Sequence, residues 1–160
     1  MLFRSLASVM RHLANVEVTD RHALTASFGD VVRFAVAATS FAIYLDVGRG
    51  LEACVGVEDR SRIAPTAIPA LSPSLLAAVQ AADALTEMSA DDDRPDELPC
   101  WAPIFLPGAS KPTGVIVCNR LEPSQVPSVA RRRLNDVCRV LQALLAALPE
   151  TSGASEHDKP

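Results

Sequence analysis

The stretch Cys100–Leu121, CWAPIFLPGASKPTGVIVCNRL, constrains this chain most. Two apolar runs flank the break Pro107–Gly108–Ala109–Ser110–Lys111–Pro112. Apolar, β-branched and aromatic residues on both sides of a Pro/Gly break predict a β-hairpin. A second hairpin is expected upstream. Phe41–Asp46 alternates large and small residues, Val47–Gly50 carries two glycines, and Leu51–Glu58 returns.

Helices are expected around these hairpins. Leu2, Phe3, Leu6, Val9, Met10 and Leu13 fall at helical spacing. A second helix follows an N-cap at Thr19 or Asp20 and turns Leu24, Phe28, Val31, Val32, Phe34 and Ala35 to one side, with a break expected at Gly29. Ser72–Pro73 reads as a cap followed by a first-turn proline, opening a helix with Leu75, Leu76, Val79 and Ala82 on its apolar side. The longest helix begins near Pro127 and ends at Pro149. Its stripe is Ala130, Leu134, Val137, Cys138, Leu141, Leu144, Leu145 and Leu148. Short strands are expected near Ile63 and over Leu85–Met88, and an irregular polar segment over Asp59–Pro69.

The order helix, helix, strand, strand, helix, edge strand, strand, strand, helix implies an α+β fold. Its sheet is central and mainly antiparallel, because hairpins supply the pairings. The N- and C-terminal helices cover one face and a helix/loop cap covers the other. A chain of 160 residues suits one domain, here residues 1–148 with a disordered tail over 149–160.

Composition narrows the function classes. The net charge of −4 argues against nucleic acid, whose binding relies on basic patches. The dense basic run Arg131–Arg132–Arg133 reads as a solvated helix face. No run approaches the roughly 18 apolar residues of a membrane span, and no signal peptide is recognisable, so the cytoplasm is the expected compartment. The acidic loop at residues 90–99 lacks the spaced acidic pattern of a calcium hand and reads as a mobile loop. Cysteines at 54, 100, 118 and 138 form no Cys-x-x-Cys pair, which argues against zinc and thioredoxin-type chemistry, and they read as small buried hydrophobes. Cys54 and Cys118 lie on strands that need not be adjacent, so no disulfide is assigned. His12 and His22 fall on helices and His157 in the tail, with no nucleophile singled out beside them. No catalytic, metal or cofactor residue is predicted.

The chain resembles a GAF domain, the small-molecule sensor fold related to PAS domains, over about residues 2–148. Phe41–Leu45, Gly48 and Leu51–Val57 look like that family's first hairpin. Trp101–Ala102–Pro103–Ile104–Phe105, a glycine-containing turn and Thr113–Gly114–Val115–Ile116–Val117 resemble its apolar-Pro-apolar strand, turn and Gly-apolar-apolar strand. The long C-terminal helix matches too. Members bind cyclic nucleotides, bilins, haem, small metabolites or nothing, so the resemblance implies a bacterial-type regulatory and signalling role without naming a ligand. The Cys-His pair of bilin binders and the Asn-Lys signature of cyclic-nucleotide binders are missing. The cysteines that free methionine sulfoxide reductases carry between their hairpins are absent from residues 59–98. A roadblock or longin-like interaction module uses similar pieces and is the alternative. A thiol-based redox sensor or a reductase-like enzyme is the second alternative.

A small-molecule pocket is expected on the cap side. Its candidate residues are Tyr44 and Asp46 on the first strand, Arg62 in the irregular segment, Trp101, Pro103 and Phe105 on the next hairpin, and Cys118 and Arg120 on the last strand. A homodimer is expected through the terminal helices, at Leu2, Leu6, Val9, Leu13, Val129, Val140, Leu144 and Ala147.

Overall fold

A computed structural model describes residues 21–46, 48, 50–82, 100–106 and 108–148. The expected helix over Leu2–Leu13, the strand over Leu85–Met88, the acidic loop and the tail lie outside these residues.

Helix α1 (Arg21–Ala35) leads into strand β1 (Ala38–Asp46). Strands β2 (Leu51–Glu58) and β3 (Ser61–Ile63) follow, then a 3-10 turn at Pro65–Ala67 and helix α2 (Pro73–Ala81). Strands β4 (Cys100–Ile104) and β5 (Gly114–Leu121) form the second hairpin, and helix α3 (Pro127–Ala147) closes the order. Among the described residues the sheet has five strands in the order β3-β2-β1-β5-β4, and each neighbouring pair is antiparallel. Pro103 fits this arrangement because, among the described residues, β4 is a border strand, where a missing N–H is tolerated.

Helices α1 and α3 pack together on one face of the sheet. There Phe28, Val32, Leu134, Val137 and Leu141 meet Phe41, Ile43, Ile104 and Ile116, all buried. The stripe predicted for α3 is buried from Ala130 to Leu145, with Leu144 and Leu148 at its margin. Two polar residues join it. Arg131 and Asn135 are buried, so the basic run is not a uniformly solvated face: only Arg132 and Arg133 are exposed. The opposite face carries a smaller cluster of Ala42, Tyr44, Val79, Val115 and Val117, with Leu75 and Trp101 packed against it.

Helix α1 runs unbroken through Gly29. A Cβ there would lie 3.0 Å from the Arg62 guanidinium and 3.1 Å from the Val55 side chain. The glycine permits a close approach of helix and sheet, and that offsets its propensity cost of about 1 kcal/mol.

Irregularities in register set which residue faces where. Between β1 and β2 the register runs Ile43↔Val55 and then Tyr44↔Ala53, leaving Cys54 as an extra residue. A bulge of one residue switches the faces of the strand on either side of it. Leu51 and Ala53 therefore pack with Tyr44 on the cap side, while Val55 and Val57 pack under the helices. Between β1 and β5 the register passes from Ser40↔Arg120 to Phe41↔Cys118, leaving Asn119 extra.

The β2–β3 turn is tight and costly. Asp59 and Arg60 both have positive φ, 51° and 70°, a geometry usually given to Asn-Gly. The surroundings hold it. The Asp59 N–H donates to Ser40 Oγ at 2.9 Å, and the Arg60 N–H donates to the Thr39 carbonyl at 2.7 Å. The Arg60 guanidinium also grips both carboxylate oxygens of Glu122, at 2.8 and 3.1 Å.

Candidate functional site

The cap face holds a partly open cavity of about 270 Å³. Its floor is the sheet, with Ala42 and Tyr44 from β1 and Val117 from β5. Its roof is the irregular chain Ile68–Ser72 together with Leu75 of α2. Both parts of the roof follow from local chemistry. Ser72 caps α2 by accepting the Leu75 N–H at 3.2 Å, and Pro73 starts the helix without an orphan donor. Ile68 reaches the sheet because β2 has Gly56 beneath it. A Cβ at that position would lie 2.4 Å from the Ile68 side chain.

Tyr44 ties floor to roof. Its hydroxyl donates to the Pro69 carbonyl at 2.8 Å across 25 residues of sequence. Burial pushes the phenol's pKa up, so at neutral pH it is a hydrogen-bond donor and not an anion. The polar lining comes from Glu58, Ser72 and Asn119. Asn119 is the bulge residue of β5, and bulges re-aim side chains in this way next to sites. The arrangement is a slot whose lining is polar and apolar in comparable share, which suits a small molecule that makes both apolar contacts and hydrogen bonds.

Of the candidate ligand residues, the structure brings Tyr44 alone to this cavity. Trp101 packs against the same apolar cluster, half-buried, but does not line the cavity. Asp46 is exposed at the end of β1, where its carboxylate accepts the Gly48 N–H at 2.8 Å and shapes the turn. Arg62 turns toward α1. Its guanidinium donates to the Ala26 carbonyl at 3.1 Å and lies 3.8 Å from the Asp30 carboxylate. Pro103 is buried on the border strand. Phe105 is buried, and its N–H donates to Gln142 Oε1 on α3 at 2.9 Å. Cys118 lies in the core beneath the helices, not on the cap side, because it alternates with Val117. Arg120 is exposed beyond the bulge, and its shared side with Cys118 is lost there.

Sequence reasoning missed Ile68, Leu71 and Asn119. Ile68 lies in the segment Asp59–Pro69 read as polar and irregular and Leu71 just beyond it; both are isolated large apolar residues between prolines, and that isolation was the available signal. Asn119 carried none, because the bulge that places it depends on register. Among the described residues, no group of three His, Cys, Asp or Glu side chains is placed to hold a metal ion. Of the candidate dimer residues, Leu2, Leu6, Val9 and Leu13 lie outside the described residues. Val129, Val140 and Leu144 are half-buried on α3, and Ala147 is exposed. No described helix is long and apolar enough to cross a membrane.

A scan against protein-family models and a search of curated proteins return no match to this chain.

Proposed function

We propose that this protein is a non-catalytic regulatory domain of GAF-like type, which senses a small molecule in the cavity between the sheet and its cap. The observation that carries this reading is the cavity itself. Its roof is held to the sheet by Tyr44, by Ile68 over Gly56 and by the short helix α2. Its volume of about 270 Å³ falls just under the range of ligand sites, roughly 300–1,000 Å³, so the occupant is small. A ligand that fills the slot stabilises the roof against the sheet, and that change in the roof is the signal. The antiparallel sheet, with helices on one face and a helix/loop cap on the other, agrees with the GAF resemblance.

The test is native mass spectrometry of the purified protein, followed by thermal shift against a small-metabolite collection. The Ala42→Leu variant, which fills the floor, serves as the control. A compound that raises the melting temperature of the natural chain and not of the variant supports the reading. Equal shifts in both proteins would place the compound elsewhere and remove the cavity from the argument.

Dimerisation through the terminal helices is the second part of the proposal. Phe34 is 39% exposed and Val126 49% exposed. Both lie where α1 ends against the start of α3, a junction held by Gln125 Nε2 donating to the Val36 carbonyl at 3.0 Å. Light scattering behind size exclusion should give twice the chain mass. A monomer of 17.0 kDa at high concentration would sink the idea.

A further inference from the structure

The β4–β5 register places Cys100 directly opposite Cys118. Cα atoms of directly opposed antiparallel residues lie about 4.5–5.5 Å apart, and a disulfide spans about 4.4–6.8 Å. Opposed residues also share a face. Both thiols are buried under α3 in the helix-side core. The other two cysteines are less well placed. Cys54 is on β2, separated from β5 by β1. Cys138 comes from α3, and its thiol donates to the Ala102 carbonyl at 3.5 Å.

We propose that Cys100 and Cys118 form a reversible cross-strand disulfide when the protein meets a low-molecular-weight disulfide oxidant. Cys100 is the entry point, because it is the first residue of β4, which is the outermost strand among the described residues, and local opening there uncovers it before Cys118 on the more central β5. Its thiolate attacks one sulfur of the oxidant, forms a mixed disulfide and expels the first small thiolate. The Cys118 thiolate then attacks the Cys100 sulfur, forms the cross-strand bond and expels the second. The two protein thiols lose two protons and two electrons in total, and the oxidant leaves as two small thiols. The Cys118 thiol is held well above the ordinary range, first by its hydrogen bond with Cys100 and then by burial. In the mixed disulfide the Cys100 thiol is gone and burial is what still disfavours the Cys118 thiolate, so the second step is slow at neutral pH and speeds up as pH rises, because the thiolate is the nucleophile. The bond locks β4 to β5 beneath α3 and is removed by excess small thiol. A metal site is a poorer reading of the same cysteines, since no described group of three ligating side chains has suitable placement.

The experiment incubates the full chain, under native conditions and at mildly alkaline pH, with oxidised glutathione. The protein is then denatured, alkylated and digested with trypsin. Arg94–Pro95 and Lys111–Pro112 resist cleavage, so Cys100 and Cys118 share the peptide 63–120, while Cys54 and Cys138 fall on 50–60 and 134–139. The expected result is a fall from four alkylated cysteines to two. Peptide 63–120 should be unalkylated and lighter by two hydrogens, and reduced glutathione should reverse the change. The Cys54→Ser variant should behave like the natural chain. In Cys100→Ser, Cys118 should stay reduced. Persistent alkylation of peptide 63–120 at both cysteines overturns the proposal. A cross-link from that peptide to 50–60 or 134–139, or a stable glutathione adduct, also overturns it.

Discussion

The two faces of this sheet are covered by different means. Under α1 and α3 the contact is dense: Phe28, Val32, Leu134 and Leu141 are fully buried. On the cap side α2 contributes a single fully buried side chain, Val79, and the remaining cover among the described residues is irregular chain above a cavity. Close packing supplies most of the stability of a core. Elements that open or bind come from the less stable parts. The helix face therefore holds the fold, and the cap face is where a ligand can enter.

The largest expected difference between the faces is energetic. Leu141→Ala should cost about 3–5 kcal/mol, because a closely packed site cannot collapse around the lost atoms. Leu75→Ala, half-buried beside an existing cavity, should cost about 1 kcal/mol. Urea denaturation measures both, and equal losses would break the comparison. Next comes Gly114→Ala. Its new Cβ would lie 2.5 Å from the Tyr44 carbonyl oxygen, a backbone atom that cannot move aside cheaply. A loss of about 1–3 kcal/mol is expected in the same assay. Tyr44→Phe should cost about 1 kcal/mol by removing the bond to Pro69. Amide exchange should then quicken over residues 64–72 and stay unchanged in α3. Faster exchange in both regions would show that the faces are not independent.

The smallest effect concerns pH. The Arg60 guanidinium, by hydrogen bond and then by charge, holds the Glu122 carboxyl below its usual range. A carboxylate depressed in the folded state contributes stability above its unfolded value, about 4.3. That contribution is lost as pH falls through the folded value. Acid titration should therefore destabilise the natural chain slightly more than Glu122→Gln, and parallel curves would remove this tether from the account. Both groups are at the surface, so salt should shrink the difference.

Much of the architecture was readable in the sequence. Ser72–Pro73 announced α2, Pro127 announced α3, and the breaks at 47–50 and 107–112 announced both hairpins. The candidate site was far less readable. Tyr44 lines the cavity, and a lone tyrosine on a central strand is a local signal. Cys118 faces the helices and not the cap, and Arg62 sits beside α1 away from the cavity, since each depends on what pairs beside it. The opposition of Cys100 and Cys118 was within reach. They lie at equal distances from Ala109, inside the turn, and a symmetric hairpin pairs such residues.

The sequence by itself determined the elements, their order and the α+β class, because helical period, strand composition and Pro/Gly breaks are local properties. Tertiary structure decided the rest. It placed the bulges at Cys54 and Asn119, which send flanking residues to one face or the other. It put a cavity above Ala42 and brought two thiols together under α3. Register is a relation between strands, and a one-residue slip exchanges every side chain between core and cap.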